Sequence, residues 1–221
     1  MPLRSRRRRP AGPSRAARRL DRRQAEMVAL DFETTGLDRE RDQVVSFGAV
    51  PVREGRVMVG EAVQRLISPT VPASAASMRI HGLLPRDLAD APPLSAVRSE
   101  LSDVLEGRFI LAWFADVEIA FLSRVFPVPA RRWIRRTIDV RLLALALEGA
   151  GRAARRTLSD TAVRYGVPVE TPHDALEDAL VTAELFLVLA SRLEARGRVR
   201  MSDLLGLCRG AEARRRASPP T

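Results

Sequence analysis

Two neighbouring carboxylates, Asp31 and Glu33, follow a short apolar stretch at residues 28–30. Because side chains alternate between the two faces of a β-strand, residues two apart emerge on the same face. Such carboxylates repel each other unless a proton or a cation lies between them, and a hard divalent metal ion prefers their oxygen atoms. Residues 34–36 then turn the chain away, so the pattern predicts a metal-binding strand end. The alternative is a solvated strand end with incidental charges.

A second cluster of chemically active residues lies in the segment PHDALED, residues 172–178. Asp174 followed by Glu177 is typical of a capping box, so a helix is predicted to begin at Asp174. His173 then lies on the entering loop, and this lets it approach Asp178, although residues five apart within a helix diverge by about 140°. The alternative is a surface histidine and a carboxylate that only favours the helix N-terminus.

The net charge of +10 is unevenly distributed along the 221 residues. Residues 1–23 contain ten Arg and one Asp, and residues 205–221 contain four Arg and one Glu, so residues 24–204 carry a net charge of −2. Both ends are poor in large apolar side chains, and we expect disordered tails that attract phosphate without specificity. Residues 24–204 are long enough for one catalytic domain with a full core.

Compartment signals in the sequence are weak but consistent with one another. No apolar run is long enough to span a membrane, and no apolar segment of an export signal follows the Arg-rich start. Cys208 is the only cysteine, so it has no partner within the chain for a disulfide or a zinc site. We therefore expect a cytoplasmic protein without a membrane partner.

The hydrophobic pattern predicts an α/β domain. Strands are predicted at 26–32, 43–52, 56–67, 109–114 and 133–138. Helices are predicted at 73–80, 85–89, 94–105, 140–147, 158–165 and 175–193, with a further helix capped by Asp116. The first three strands have short connections and predict an antiparallel meander, whereas later strands are separated by helices. Together they indicate a mixed sheet flanked by helices.

The order of these segments resembles that of a known family. LDFETTGL, an HGL segment at His81, EIAFL at residues 118–122 and HDALEDA occur in the order seen in the DEDD exonuclease superfamily. The similarity is to its DEDDh branch, the group of epsilon proofreading subunits and RNase T, and runs from about Met27 to Leu193. It implies an RNase H-like fold with a mixed five-stranded sheet, in which a three-strand antiparallel meander is joined by parallel strands.

One motif departs from the family pattern. The family has an Asp on the helix after the fourth strand, and here that position holds Glu118. Asp116 is the alternative acid, but it lies two residues early and is interpreted as the helix N-cap. Trp113 and Phe114 replace a His-Asn pair, and we interpret both as core strand residues rather than base-stacking platforms.

The resemblance implies two-metal hydrolysis with two Mg²⁺ or Mn²⁺ ions. By this likeness Asp31 bridges both ions, Glu33 and Asp178 complete the ligands of one, and Glu118 reaches the other through water. His173 takes the proton from the attacking water. The products are nucleoside 5′-monophosphates, released from the 3′ end of single-stranded DNA or RNA.

Substrate contacts are implied for the loop after the first strand and for His81. The loop residues with this implied role are Thr34, Thr35, Gly36 and Leu37. The side chain of Leu37 and the backbone around it would meet the terminal nucleotide. His81 is either a contact on the substrate side or a buried histidine paired with backbone.

Three functional alternatives remain open from the sequence. The first is an active DNA exonuclease, and the second is an RNA-processing exonuclease with the same chemistry. The third is a catalytically weakened member that binds nucleic acid or associates with a polymerase. Glu118 favours the weakened member, whereas the joint presence of Asp31, Glu33, His173 and Asp178 favours catalysis. A polymerase or repair protein is a candidate partner, and the sequence leaves the oligomeric state open.

Overall fold

The sheet is organised around β1 (Met27–Thr34), an almost wholly buried strand. In this computed structural model, which describes residues 9–149 and 156–217, six strands lie in the order β3-β2-β1-β5-β6, with β4 also paired to β2. The other strands are β2 (Val44–Arg53), β3 (Arg56–Val57), β4 (Val63–Leu66), β5 (Phe109–Ala112) and β6 (Thr137–Asp139). Pairs among β1 to β4 are antiparallel, and β1, β5 and β6 are parallel. The predicted mixed α/β sheet is confirmed.

The predicted third strand is divided into two. A 3₁₀ turn at Val59–Glu61 separates β3 from β4, and both short strands pair with β2. Gly60 lies within this turn, and glycine weakens strand pairing because it has no side chain to pack. The six strands therefore occupy the five predicted strand positions.

Helices cover both faces of the sheet. Within the described residues they are α1 (Ala75–His81), α2 (Pro85–Leu88), α3 (Leu94–Leu105), α4 (Ala115–Val125), α5 (Ala130–Ile134), α6 (Val140–Glu148), α7 (Leu158–Arg164), α8 (Ala175–Glu194) and α9 (Met201–Ala217). One face of the sheet packs against α6 to α9, and the other packs against α3 to α5. Met27 and Ala29 of β1 point toward the first of these layers, and Val28 and Leu30 toward the second. The alternation that the sequence predicts for β1 is thus present.

Three local predictions are wrong. The strand predicted at 133–138 begins only at Thr137, because residues 130–134 form α5 and bury Trp133. The strand predicted at 109–114 ends at Ala112, since Phe114 has a positive φ of 57° and turns the chain into α4. The N-cap of α4 is therefore Phe114, and the prediction that Asp116 caps this helix is wrong.

The structure also differs from the two predicted tails. Arg22 is buried and its guanidinium lies 2.7 Å from Glu194, and the backbone oxygens of Ala11 and Leu20 accept hydrogen bonds from the domain, so residues 11–23 pack on it. Residues 1–8 lie outside the described residues. The predicted C-terminal tail contains most of α9, in which Leu205 and Cys208 are buried. The net charge of this segment does not reflect the helical spacing of Met201, Leu205 and Cys208, which buries one side of α9. None of the described helices has the length and apolar character needed to cross a membrane.

Candidate active site

Asp31 and Glu33 lie near the end of β1, on the face that α8 covers. Asp31 is paired with Gly48 of β2 and Glu33 with Ser46, and the register shifts directly after Glu33. Since side chains two apart share a face, both carboxylates follow Met27 and Ala29 toward the α8 layer. The strand therefore presents its acidic pair to the N-terminus of α8.

The start of α8 is fixed by Asp174. Its Oδ1 atom accepts hydrogen bonds from the backbone N–H groups of Leu176 at 2.9 Å and Glu177 at 3.0 Å. This confirms the predicted N-cap. The reciprocal half of the predicted capping box is absent, because the Glu177 carboxylate accepts from the backbone N–H of Glu170 at 3.1 Å.

Two residues that the sequence analysis missed hold this helix start against the sheet. The Gln64 amide of β4 donates to the second oxygen of Asp174 at 2.8 Å. Gly48 lies against the backbone of Ala175, where any side chain would overlap it. Gly48 lies inside a predicted strand, and a glycine in that position often indicates that another backbone segment approaches closely. The sequence therefore contained a signal for this contact. Gln64 carried no such signal.

Glu33, His173 and Asp178 form the tightest cluster of ligand atoms among the described residues. One donor atom from each lies within 4.8 Å of the other two. His173 has a positive φ of 65°, and its backbone N–H donates to Asp178 Oδ2 at 3.2 Å. The entering loop therefore turns back over the first turn of α8 and brings the imidazole beside the carboxylates, as the sequence predicts.

Glu118 of α4 lies next to Asp31, outside the group of three. It is 3% exposed, and its Oε2 atom has no hydrogen-bond partner in the described part of the chain. Burial raises the pKa of Glu118 well above its usual value, and the neighbouring charge of Asp31 raises it further. Asp116, by contrast, lies 3.7 Å from Arg39 on an exposed surface. Of the two candidate acids, Glu118 is the one beside Asp31.

Burial and mutual repulsion make the carboxylate cluster unfavourable when it is fully ionised. Burial, followed by Asp178 and Asp174, raises the pKa of Asp31 well above its usual value. The pKa of Glu33 is raised to about 9, first by burial and then by Asp31. The pKa of Asp178 is also raised, mainly by burial. A divalent cation removes this penalty, and hard carboxylate oxygens are the ligands that Mg²⁺ and Mn²⁺ prefer.

The loop after β1 has only part of the predicted substrate-facing character. Thr35 is fully buried, with its hydroxyl donating to Asp42 and its backbone N–H to Gln43, so these groups are engaged within the protein. The Thr34 hydroxyl is likewise used internally, donating to the Gly36 carbonyl at 2.7 Å. These bonds make a rigid turn. Leu37 is the exposed member of this loop, with 81% of its surface accessible.

His81 lies at the end of α1, half-buried and near the site. Its Nδ1 atom accepts from the backbone N–H of Leu83 at 3.0 Å, whereas Nε2 is buried and has no hydrogen-bond partner among the described residues. Burial lowers the pKa of His81, a hydrogen bond with the Thr34 backbone raises it, and His173 lowers it further. The imidazole therefore lies between the Thr34 backbone and His173.

The aromatic pair before α4 divides between core and surface. Trp113 is buried in the core, as predicted. Phe114 is 41% exposed, so its assignment to the core is wrong. Its left-handed backbone conformation turns the ring outward, and the Arg141 guanidinium lies 4.3 Å from the ring centroid.

Asp139 is a further residue that the sequence analysis missed. Its carboxylate accepts from the backbone N–H groups of Ala115 at 3.3 Å and Leu142 at 3.2 Å, and it lies 3.6 Å from the Arg141 guanidinium. Burial raises the pKa of Asp139 to about 6. The start of α4, and with it Glu118, is thereby tied to the end of β6. An Asp directly after a strand and three residues before Leu142 was a readable capping signal.

Comparisons with known proteins agree with this architecture. The profile of a family described as exonuclease, RNase_T, matches residues 28–186. A DNA polymerase III subunit epsilon-like protein of Rhodobacter capsulatus is 34% identical over 173 residues, which cover 77% of this chain and 24% of that protein. A PolC-type DNA polymerase III of Thermotoga maritima is 30% identical over 181 residues, covering 81% of this chain and 13% of that protein. The chain thus spans a quarter or less of these two relatives.

Solved structures share the fold at lower identity. Exonuclease I of E. coli, in a zinc-bound complex with single-stranded DNA, has a TM-score of 0.66 at 18% identity, covering 77% of this chain and 41% of that one. Exonuclease X in complex with 5′ overhanging duplex DNA has a TM-score of 0.61 at 23% identity, covering 81% and 99%. These likenesses confirm the expected RNase H-like α/β fold. Because the family profile matches most of the chain, including both acidic motifs, this protein belongs to the RNase_T exonuclease family.

Proposed function

We propose that this chain is a metal-dependent 3′–5′ exonuclease that releases nucleoside 5′-monophosphates from single-stranded nucleic acid. The observation that carries the proposal is the convergence of Glu33, His173 and Asp178 within 4.8 Å, beside the carboxylates of Asp31 and Glu118. These side chains come from β1, α4, α8 and the loop that enters α8. Four carboxylates, three of them buried, next to an exposed histidine match the needs of phosphodiester hydrolysis, in which charge develops on the phosphoryl oxygens.

In the proposed mechanism, the carboxylates of Asp31, Glu33, Glu118 and Asp178 would hold the divalent ions. When bound, Mg²⁺ or Mn²⁺ supplies an activated water and stabilises the charge on the scissile phosphate. His173 lies on an exposed loop next to Asp178, where its imidazole accepts the proton of the attacking water. The bonded turn over residues 34–36 presents Leu37 toward the last nucleotide. His81, next to His173, contributes to the substrate side of the site.

The relatives favour DNA as the substrate and a polymerase as the partner. Two of them are named as parts of DNA polymerase III, and two structural neighbours are complexes with single-stranded or overhanging DNA. We therefore propose single-stranded DNA ends as the preferred substrate over RNA, with a replicative or repair polymerase as the partner class. We propose that the exonuclease acts in the cytoplasm.

The test is incubation of the full chain with 5′-labelled single-stranded DNA and RNA oligonucleotides in Mg²⁺, Mn²⁺ or EDTA. We expect a ladder of stepwise shortening from the 3′ end in either metal, faster on DNA, and none in EDTA. His173→Asn is expected to lose most activity while retaining metal binding, measured by calorimetry. His173 is exposed, so its replacement does not threaten the core.

The second candidate function is a catalytically weakened binding module. The observation in its favour is Glu118, which replaces an aspartate with a side chain one methylene longer. Binding of single-stranded DNA without shortening in either metal would support this alternative and contradict the proposed hydrolysis.

A further inference from the structure

A cavity of about 440 Å³ lies between the N-terminal segment and α5, and its walls carry a concentration of positive charge. Five arginines line it: Arg9, Arg18, Arg132, Arg135 and Arg136. None of the described lining residues is acidic, and none of the five forms an ion pair with another described residue. Since residues 24–204 carry a net charge of −2, this concentration is not a general property of the domain.

Two buried donors in the cavity wall have no hydrogen-bond partner in the described part of the chain. Arg136 is 3% exposed, and its Nη2 atom has no hydrogen-bond partner among the described residues. The indole Nε1 of Trp133, which is 2% exposed, is also unpaired, and the Arg136 guanidinium lies 4.5 Å from the Trp133 ring centroid. Buried polar atoms almost always have hydrogen-bond partners, so two unpaired donors on neighbouring side chains indicate that an acceptor binds there.

Arg136 is held in place although its charge is poorly compensated. Its Nη1 atom donates to the carbonyl oxygens of Ala11 at 2.7 Å and Leu105 at 3.2 Å, which fixes the guanidinium. Burial lowers the pKa of Arg136 to about 10, and Glu106 offsets only part of this effect. The Glu106 carboxylate itself accepts from the backbone N–H of Ala11 at 2.7 Å. An anion in the cavity would satisfy both the fixed cation and the free donors.

The cavity is separate from the carboxylate cluster. Arg136 directly precedes β6, and Ala11 is bonded to the backbone N–H of Gly107, just before β5. Because β1, β5 and β6 are parallel, these residues lie beside the N-terminal ends of the strands. Glu33 lies at the opposite end of the sheet, near the C-terminal end of β1. A ligand in the cavity therefore leaves the catalytic site free.

We propose that this cavity is a phosphate-binding site separate from the catalytic site, with Arg136 and Trp133 as fixed donors and the other arginines as a cationic rim. Planar guanidinium groups match the oxygens of a phosphate in paired hydrogen bonds. The choice of phosphate over another anion rests on the proposed function, since both the substrate and the product of that reaction carry phosphate. The site itself stands on the geometry alone.

The test uses the double variant Arg132→Gln/Arg135→Gln, which removes two exposed rim charges without disturbing the core. The matched control is Arg131→Gln/Arg198→Gln, which loses the same charge at exposed positions outside the cavity. Titration calorimetry in EDTA measures binding of inorganic phosphate and of thymidine 5′-monophosphate. Fluorescence anisotropy in EDTA measures binding of a labelled single-stranded oligonucleotide.

We expect the rim variant to weaken phosphate binding at least tenfold and the control to bind like the wild type. A parallel loss of oligonucleotide affinity identifies the strand as the source of the phosphate, whereas unchanged oligonucleotide affinity identifies the free nucleotide. Equal phosphate affinity of rim and control variants, or no phosphate binding by the wild type, would overturn the proposal. Because binding is measured in EDTA, the result does not depend on whether the chain hydrolyses nucleic acid.

Discussion

Gly48 lies directly against Ala175, with the backbone of β2 touching the first residue of α8. Gly48 is also the strand partner of Asp31. The close approach therefore brings the helix that carries Asp178 over the strand that carries Asp31, and the spacing between these two carboxylates depends on a missing side chain. Metal ligands must be held within a few tenths of an ångström, so a small displacement of α8 is costly.

Gly48→Ala is predicted to disrupt activity through this contact. The added methyl group would overlap the Ala175 carbonyl, and backbone cannot move aside as a flexible side chain can. We expect at least about a tenfold loss of nuclease rate and a loss of about 1–3 kcal/mol in the free energy of unfolding, the range typical of overpacking. Activity assays and urea denaturation measure the two effects.

The matched control is Gly60→Ala, since a Cβ at Gly60 meets nothing within 4 Å. It should retain both stability and activity. Wild-type activity of Gly48→Ala would show that the start of α8 is free to shift without harm.

Asp31→Asn is predicted to abolish turnover while leaving the chain folded. A neutral amide would hold divalent cations far less strongly than the carboxylate, and we expect the rate to fall by more than about a hundredfold, which exceeds the usual loss from changing an outer-shell partner of a metal. Removing one of several repelling carboxylates should raise the melting temperature in EDTA, because burial and Asp178 already disfavour the charge of Asp31. Oligonucleotide assays and thermal melts in EDTA measure both quantities. Near wild-type cleavage by the variant would contradict the metal assignment.

The acidic clusters were predictable because their geometry is local. Asp31 and Glu33 share a face by strand alternation, and His173 and Asp178 meet because Asp174 fixes the helix start. Both relations follow from a few consecutive residues.

The missed features depend on contacts between distant segments. Gly48 matters only because α8 crosses β2, and Gln64 only because β4 ends beside Asp174. The predicted tails failed for a related reason, since the burial of Arg22 requires Glu194 from the far end of α8. The composition of a segment shows which charges would be costly to bury. It does not show that a distant residue, such as Glu194 for Arg22, offsets that cost.

Asp139→Asn is predicted to change how stability depends on pH. The folded-state pKa of Asp139 is about 6, above its usual value of 3.8, so the folded chain binds this proton more tightly than the unfolded chain does. The stability contributed by the protonated group is therefore fully present below about pH 4 and is lost as the pH rises to about 6. Two pKa units correspond to about 3 kcal/mol.

Urea denaturation of metal-free protein at pH 4, 5, 6 and 7 measures this effect. The variant should become more stable relative to the wild type across that interval, and the difference should level off near pH 7. The other raised carboxylates are common to both proteins and cancel in the comparison. A constant difference at all four pH values would show that Asp139 is ionised throughout, with Arg141 compensating its burial.

The last prediction concerns Glu118, which stands where the family has aspartate. Its carboxylate is buried beside Asp31 with one oxygen unpaired, whereas Asp116 is exposed beside Arg39. We expect Glu118→Gln to lose most activity, about tenfold or more, and Asp116→Asn to keep most of it. Mg²⁺ demands near-ideal octahedral geometry and gives up water reluctantly, so a ligand one methylene longer should favour Mn²⁺.

Initial rates on a 5′-labelled oligonucleotide in each metal, for the wild type and both variants, test these expectations together. Glu118→Asp is the informative further variant, since the shorter carboxylate should shift the preference back toward Mg²⁺ if the distance to the ion governs the choice. If Asp116→Asn loses activity and Glu118→Gln does not, the metal ligand is Asp116, two residues before the position assigned here. If neither variant loses activity while Asp31→Asn does, the reaction proceeds with one fewer protein carboxylate than proposed.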